Sequence, residues 1–181
     1  MPFRFLRFYT IPLLLSITAS VVVVALNVVR EPTEILLIFA GSLVGTLILE
    51  IDYILHAYFI EPEAPQSGLI KDYIYHRDFY GFAGYVQSHK DEITHKTLNS
   101  ALFQVILALT TIFVLSSSAS TFIKIMILST FLNSIYRLME AYLRDEAADW
   151  FWSLRINTNP QSIYLYFLTL VATLFYCFYI F

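Results

Sequence analysis

Charge and cysteine are the scarce commodities of this chain. Only 14% of its 181 residues are charged, against 58% hydrophobic. A water-soluble domain carries roughly 25% charged residues, so a surface of ordinary soluble kind is excluded. The single cysteine, Cys177, rules out an intrachain disulfide and a cysteine-based zinc cluster. It sits in an apolar run, where a lipid-facing or packed small side chain is expected. Glycine is equally sparse at five residues. There is no phosphate-binding glycine loop, no Gly-x-Ser-x-Gly elbow and no His-Glu-x-x-His pair, so the serine-hydrolase and zincin readings lose support. The net charge of -3 is mild and no long basic run occurs, which gives no reason to expect a nucleic-acid partner.

What remains is apolar sequence in long runs. A bilayer core of about 30 Å needs about 20 apolar residues in a helix. Five runs approach that length: about 8–29, 34–60, 97–115, 121–142 and 160–181. The fold class expected is therefore all-α, a polytopic membrane helix bundle forming a single domain over 1–181, with the lipid bilayer as its first partner. Arg4 and Arg7 precede the first run, and Thr18-Ala19-Ser20 would pass for a cleavage site. The run continues through four valines to Val29, a length that favours an uncleaved anchor. Pro62, Pro65 and Gly68 are read as ending the second helix and opening a polar loop over 61–96. Ser116 to Ser120 make a short turn, and Asn159-Pro160 is a helix-start signal.

The distribution of Lys and Arg orients the bundle. With the N-terminus in the cytoplasm, nine of the 11 basic residues fall on the cytoplasmic side, leaving only Arg30 and Lys124 outside. The expected location is the inner or plasma membrane, multi-pass. In this topology the costly polar groups gather at one membrane face: Glu50, Asp52 and His56, then His89, Asp91 and His95, then Glu140.

Carboxylates and imidazoles at one depth suit a divalent metal ion, zinc or manganese. Asp52 and His56 are four apart and share a helical face. Glu50 is two from Asp52, about 200° away on a regular helix, so both reach one point only if the helix frays or ends there. The competing reading is an interfacial helix end with solvated acids. Thr94 is the expected cap of the third helix. Glu140 follows Arg137 by three residues, so an ion pair along that helix competes with a ligand role. Trp150 and Trp152 read as interface anchors of an amphipathic surface segment that also carries Asp145, Glu146 and Asp149. The aromatic stretch from Tyr73 to Tyr85 reads as a loop that covers the site, packs on the bundle or dips into the headgroups, where its basic residues would meet lipid phosphate. Gly41 and Gly45 make a small-residue face for close helix packing.

The order of these elements resembles the YdjM-type family, the LexA-binding, inner-membrane-associated metal-dependent hydrolases. That family has a glycine-bearing helix ending in Pro-Asp-Ile-Asp-His, a His-Arg-Gly…Thr-His-Ser element, and a later Ser-His-Leu-x-x-Asp. Here Gly41 to Gly45 leads into Leu49-Glu50-Ile51-Asp52-Tyr53; the segment from His89 to Lys96 is similar to the second element; Ile135 to Glu140 is similar to the third. Tyr53 and Tyr136 stand where the family has histidines. The resemblance covers roughly 38–155. It implies a membrane-embedded hydrolase of phosphoester or lipid substrates, with Glu50, Asp52, His56, His89, His95 and Glu140 as metal ligands. Glu50 or Asp91 would serve as the base. Two other function classes compete. One is a non-catalytic scaffold whose polar residues form a hydrogen-bond and ion-pair network. The other is a small transporter, disfavoured because the acids lie at one face rather than at the midplane.

Overall fold

The computed structural model describes residues 9–27, 29–89, 97–154 and 159–181. Among these every regular element is helical. The long helices are α1 (Thr10–Leu26), α2 (Pro32–Ile48), α6 (Ala101–Leu115), α7 (Thr121–Leu143) and α9 (Pro160–Ile180). Between α2 and α6 come the short α3 (Ile51–Leu55), a π-helical turn (His56–Ile60), α4 (Pro65–Tyr75) and α5 (Phe79–Ser88). A one-turn α8 (Ala147–Trp150) and a 3-10 turn (Trp152–Leu154) link α7 to α9.

Three helices are long and apolar enough to cross a membrane: Pro32–Ile60 taken through its break, Thr121–Leu143 and Pro160–Ile180. Thr10–Leu26 and Ala101–Ser116 are apolar but shorter. Large side chains such as Leu36, Phe113, Phe175 and Tyr179 point outward along them, an apolar exterior that needs a non-aqueous environment.

Helices α2 and α7 make the most extensive contact among the described elements, and glycine is the reason. A Cβ at Gly41 would come within 2.5 Å of the Phe122 carbonyl oxygen, and one at Gly45 would strike the Met126 carbonyl. The expected small-residue face is thus the seam on which α7 lies, backbone close to backbone. Cys177 is packed, fully buried with Val23, Leu115 and Ile125.

Helix starts follow proline. Pro32, Pro65 and Pro160 each occupy the first turn after an extended residue, where the missing N–H costs nothing. The segment expected as a polar loop over 61–96 therefore differs. Pro65 opens a helix rather than breaking one, and Gly68 lies inside it. The third long helix begins at Ala101, capped by Ser100, whose hydroxyl accepts from the Phe103 N–H at 3.4 Å. Thr94, the expected cap, lies outside the described residues.

Two helices end alike. After α4 the Asp78 N–H reaches back to the Tyr73 carbonyl (2.9 Å) and the Arg77 N–H to that of Ile74 (3.1 Å), with Arg77 at φ 55°. After α7 the Glu146 and Asp145 N–H groups do the same to Ala141 and Tyr142, with Asp145 at φ 61°. Both are left-handed chain reversals of the kind usually built on glycine.

Candidate functional site

At Leu49–Glu50 the long second helix loses its regular pairing. The Glu50 N–H bonds three residues back, to the Leu47 carbonyl at 3.0 Å, before the helix resumes at Ile51. This break brings Glu50 and Asp52 to the interior together, although they are two positions apart; both are buried.

Each carboxylate finds a partner from a different helix. Glu50 Oε1 forms an ion pair with the Arg137 guanidinium of α7, both side chains being about nine-tenths buried. Asp52 receives the strand of chain that leads into α6. Its Oδ1 accepts the Thr97 N–H at 3.0 Å, and its Oδ2 accepts the Asn99 N–H at 3.0 Å and the Asn99 side-chain amide at 2.9 Å. Asn99 Oδ1 in turn accepts from Arg137 at 3.5 Å, so Glu50, Arg137, Asn99 and Asp52 form one continuous chain. Two tyrosines complete it: Tyr9 donates to Glu50, and the Tyr53 oxygen accepts from Arg137. Tyr53, standing at a position where the resembled family has histidine, thus serves as an acceptor for a cation.

The other expected ligands are distributed elsewhere. His56 opens the π-helical turn and is buried; its Nε2 has no hydrogen-bond partner among the described residues, and neither does Glu50 Oε2. His89, at the end of α5, stacks on Tyr85 at 4.3 Å, and its Nδ1 lies 2.8 Å from the Ser88 hydroxyl. Glu140 pairs with Arg144 at 2.7 Å, at the C-terminal end of α7, so its ion pair along the helix is with Arg144, and Arg137 turns to Glu50. Asp91 and His95 fall outside the described residues.

A divalent ion fits this arrangement poorly. Asp52 already accepts three N–H donors, Glu50 faces a guanidinium, and a metal would have to sit beside that positive charge. Among the described residues no group of three or more His, Cys, Asp or Glu side chains is placed to hold a metal ion.

A second polar system runs between α1, α2 and α7, and composition alone gave little sign of it. The Ser16 hydroxyl lies 2.6 Å from Thr46 and 2.8 Å from Ser129, and it accepts from the Asn133 amide at 2.9 Å. Ser20 donates to Ser42 at 2.8 Å, and Ser129 donates to the Ser42 carbonyl at 2.8 Å. These residues join α1, α2 and α7 and are all buried. The signal was spacing: Ser16 and Ser20, Ser42 and Thr46, and Ser129 and Asn133 are each four apart, one stripe per helix.

Trp150 also departs from expectation. It is buried, and its indole N–H donates to Gln104 Oε1 at 3.1 Å, an atom that Tyr166 also reaches at 3.1 Å. It ties the α7–α9 connection to α6 rather than anchoring at the lipid interface; Trp152, more exposed, keeps that option.

Comparison of the chain with protein families, with curated proteins and with solved structures gives no match.

Proposed function

We propose that the chain is a multi-pass integral membrane protein that acts as a non-catalytic scaffold, with its charged cluster locking helices together. Five spans with the N-terminus in the cytoplasm of an inner or plasma membrane complete the reading. The shorter Thr10–Leu26 and Ala101–Ser116 join the three longer helices, and the Lys/Arg bias sets the orientation. The observation that carries the proposal is that each buried carboxylate already has its counter-group: Arg137 for Glu50, and the Thr97 and Asn99 donors for Asp52. Buried charges in such an environment are retained when paired and hydrogen-bonded. The test is thermal unfolding of detergent-purified protein with and without zinc or manganese. Arg137→Gln is expected to lower the midpoint, and added metal to leave it unchanged. A metal-dependent rise that disappears in Asp52→Asn would overturn the scaffold reading.

A metal-dependent hydrolase of lipid or phosphoester substrates is the second reading. It is favoured by two buried donor atoms with no partner among the described residues, Glu50 Oε2 and His56 Nε2, and by the resemblance to the YdjM-type family. Metal analysis of the purified protein separates the two. Stoichiometric zinc or manganese that is lost in both Glu50→Gln and His56→Ala supports the hydrolase; a metal-free protein supports the scaffold.

A further inference from the structure

Between the end of the second long helix and α6 lies the hairpin of α4 and α5, whose two faces differ. Its inner face packs Ile70, Phe82 and Val86 against Tyr53 and Ala57. Its outer side and corner carry large exposed side chains: Tyr75 is 83% exposed and Phe79 63%, with Leu69 and Tyr80 about half exposed, and Phe59, in the π-helical turn just before the hairpin, is 79% exposed. An aqueous surface gains nothing from such a concentration of aromatic rings.

We propose that the outer side and corner of this hairpin rest in the headgroup layer of the membrane that holds the long helices. Three observations select that occupant. First, the apolar exterior is continuous: Leu43, Leu47, Ile51 and Phe59 follow one another along a single span, Pro32–Ile60, which feeds directly into α4. Second, the rings are interleaved with polar groups that would be costly at hydrocarbon depth. His76 pairs with Asp72 at 3.3 Å, and Asp78 caps α5 by accepting the Gly81 N–H at 2.8 Å. Rings beside polar groups mark the interface, where tyrosine is enriched. Third, the hairpin's lysine is already engaged: Lys71 donates to the Pro62 carbonyl at 2.9 Å and lies 5.5 Å from the centre of the Tyr58 ring. With Glu61, Glu63, Asp72 and Asp78 in the same segment, and Arg77 the one remaining Lys or Arg among the described residues of the hairpin, attraction to anionic lipid is not the force proposed to hold it down. Aromatic burial is, and zwitterionic lipid suffices.

This inference rests on the membrane reading above, and the test separates the two. In a Cys177→Ala background, nitroxide labels are placed at Tyr75→Cys, Phe79→Cys, Phe175→Cys and Glu63→Cys. The full chain is reconstituted in phosphatidylcholine nanodiscs. Accessibility to oxygen is then compared with accessibility to a water-soluble nickel chelate. The label replacing Phe175, on an outward side chain of α9, is expected at hydrocarbon depth and that replacing Glu63 in water. Those replacing Tyr75 and Phe79 are expected at headgroup depth, unchanged when anionic lipid or 0.5 M salt (about a 4 Å Debye length) is added. If the Phe175 position is open to the chelate, the membrane reading itself fails. If that position is in lipid while those of Tyr75 and Phe79 are in water, the hairpin proposal alone falls. It also falls if their depth requires anionic lipid, or if both labels are immobilised and closed to both reagents, which would mean a protein partner.

Discussion

The bundle holds two polar systems of opposite character. One, between α1, α2 and α7, is neutral and built from small hydroxyls and one amide. The other, at the break in the second long helix, is charged. In the neutral seam most hydroxyls have a second partner on their own helix: Ser20 on the Ser16 carbonyl, Thr46 on that of Ser42, Thr130 on that of Met126. Losing a cross-helix bond therefore leaves few orphans. In the charged cluster no such reserve exists. Glu50 and Arg137 are 87 residues apart, and the nearest acid on the helix of Arg137, Glu140, is engaged with Arg144. The seam is a set of neutral contacts with local alternatives, whereas the cluster hangs on one ion pair between two helices.

That contrast can be broken by substitution, with unfolding free energy measured by steric trapping in bicelles. Arg137→Ala is expected to cost most, about 3–5 kcal/mol, because it strands a buried carboxylate. The double variant Glu50→Gln with Arg137→Gln should recover more than half of that loss; a double variant as unstable as Arg137→Ala would mean that the charges themselves, not their pairing, hold the helices. Asp52→Asn comes next, at about 1–3 kcal/mol, since one of its two acceptor oxygens becomes an N–H₂ facing N–H donors; hydrogen exchange at Thr97 and Asn99 should rise with it. Ser16→Ala is expected to cost only about 0.6 kcal/mol, the usual worth of a hydrogen bond between helices in a membrane. A loss above about 2 kcal/mol there would erase the distinction between seam and cluster. Glu140→Gln should be smallest, within about 0.5 kcal/mol, because its pair with Arg144 is part-exposed and lies along one helix.

Much of this architecture was legible in the sequence. The apolar runs located the long helices, Asn159-Pro160 marked the start of the last one, and Gly41 and Gly45 announced the tight seam. Glu50 and Asp52 were identified as belonging together provided their helix breaks, and it does, at Leu49–Glu50. Their partners were harder to see. Arg137 had an acid three residues away on its own helix, and local spacing made Glu140 the natural choice. The signal that favours Glu50 is one of cost: a buried Glu and a buried Arg at one predicted depth each need a counter-charge, whereas Glu140 has a second basic neighbour in Arg144. Asn99 carried no sequence signal, because its role depends on where the chain entering α6 crosses the end of another helix. The α4–α5 hairpin was hidden by composition: its aromatic and glycine content resembles a loop, whereas Pro65 opens α4, Asp78 caps α5, and Ile70, Phe82 and Val86 pack the pair against Tyr53 and Ala57.

The separation of Glu50 from Arg137 also sets an order of events during synthesis. At about 5–20 residues per second, the 87 residues between them take roughly 4–17 s to emerge. Through that interval the second helix exists while its counter-charge does not. An ionised Glu50 without its partner is costly to remove from water, so on the membrane reading proposed above this end of the helix would stay where water reaches it until then. The ion pair can form only once α7 has been made, and a chain truncated before α7 should leave Glu50 without Arg137.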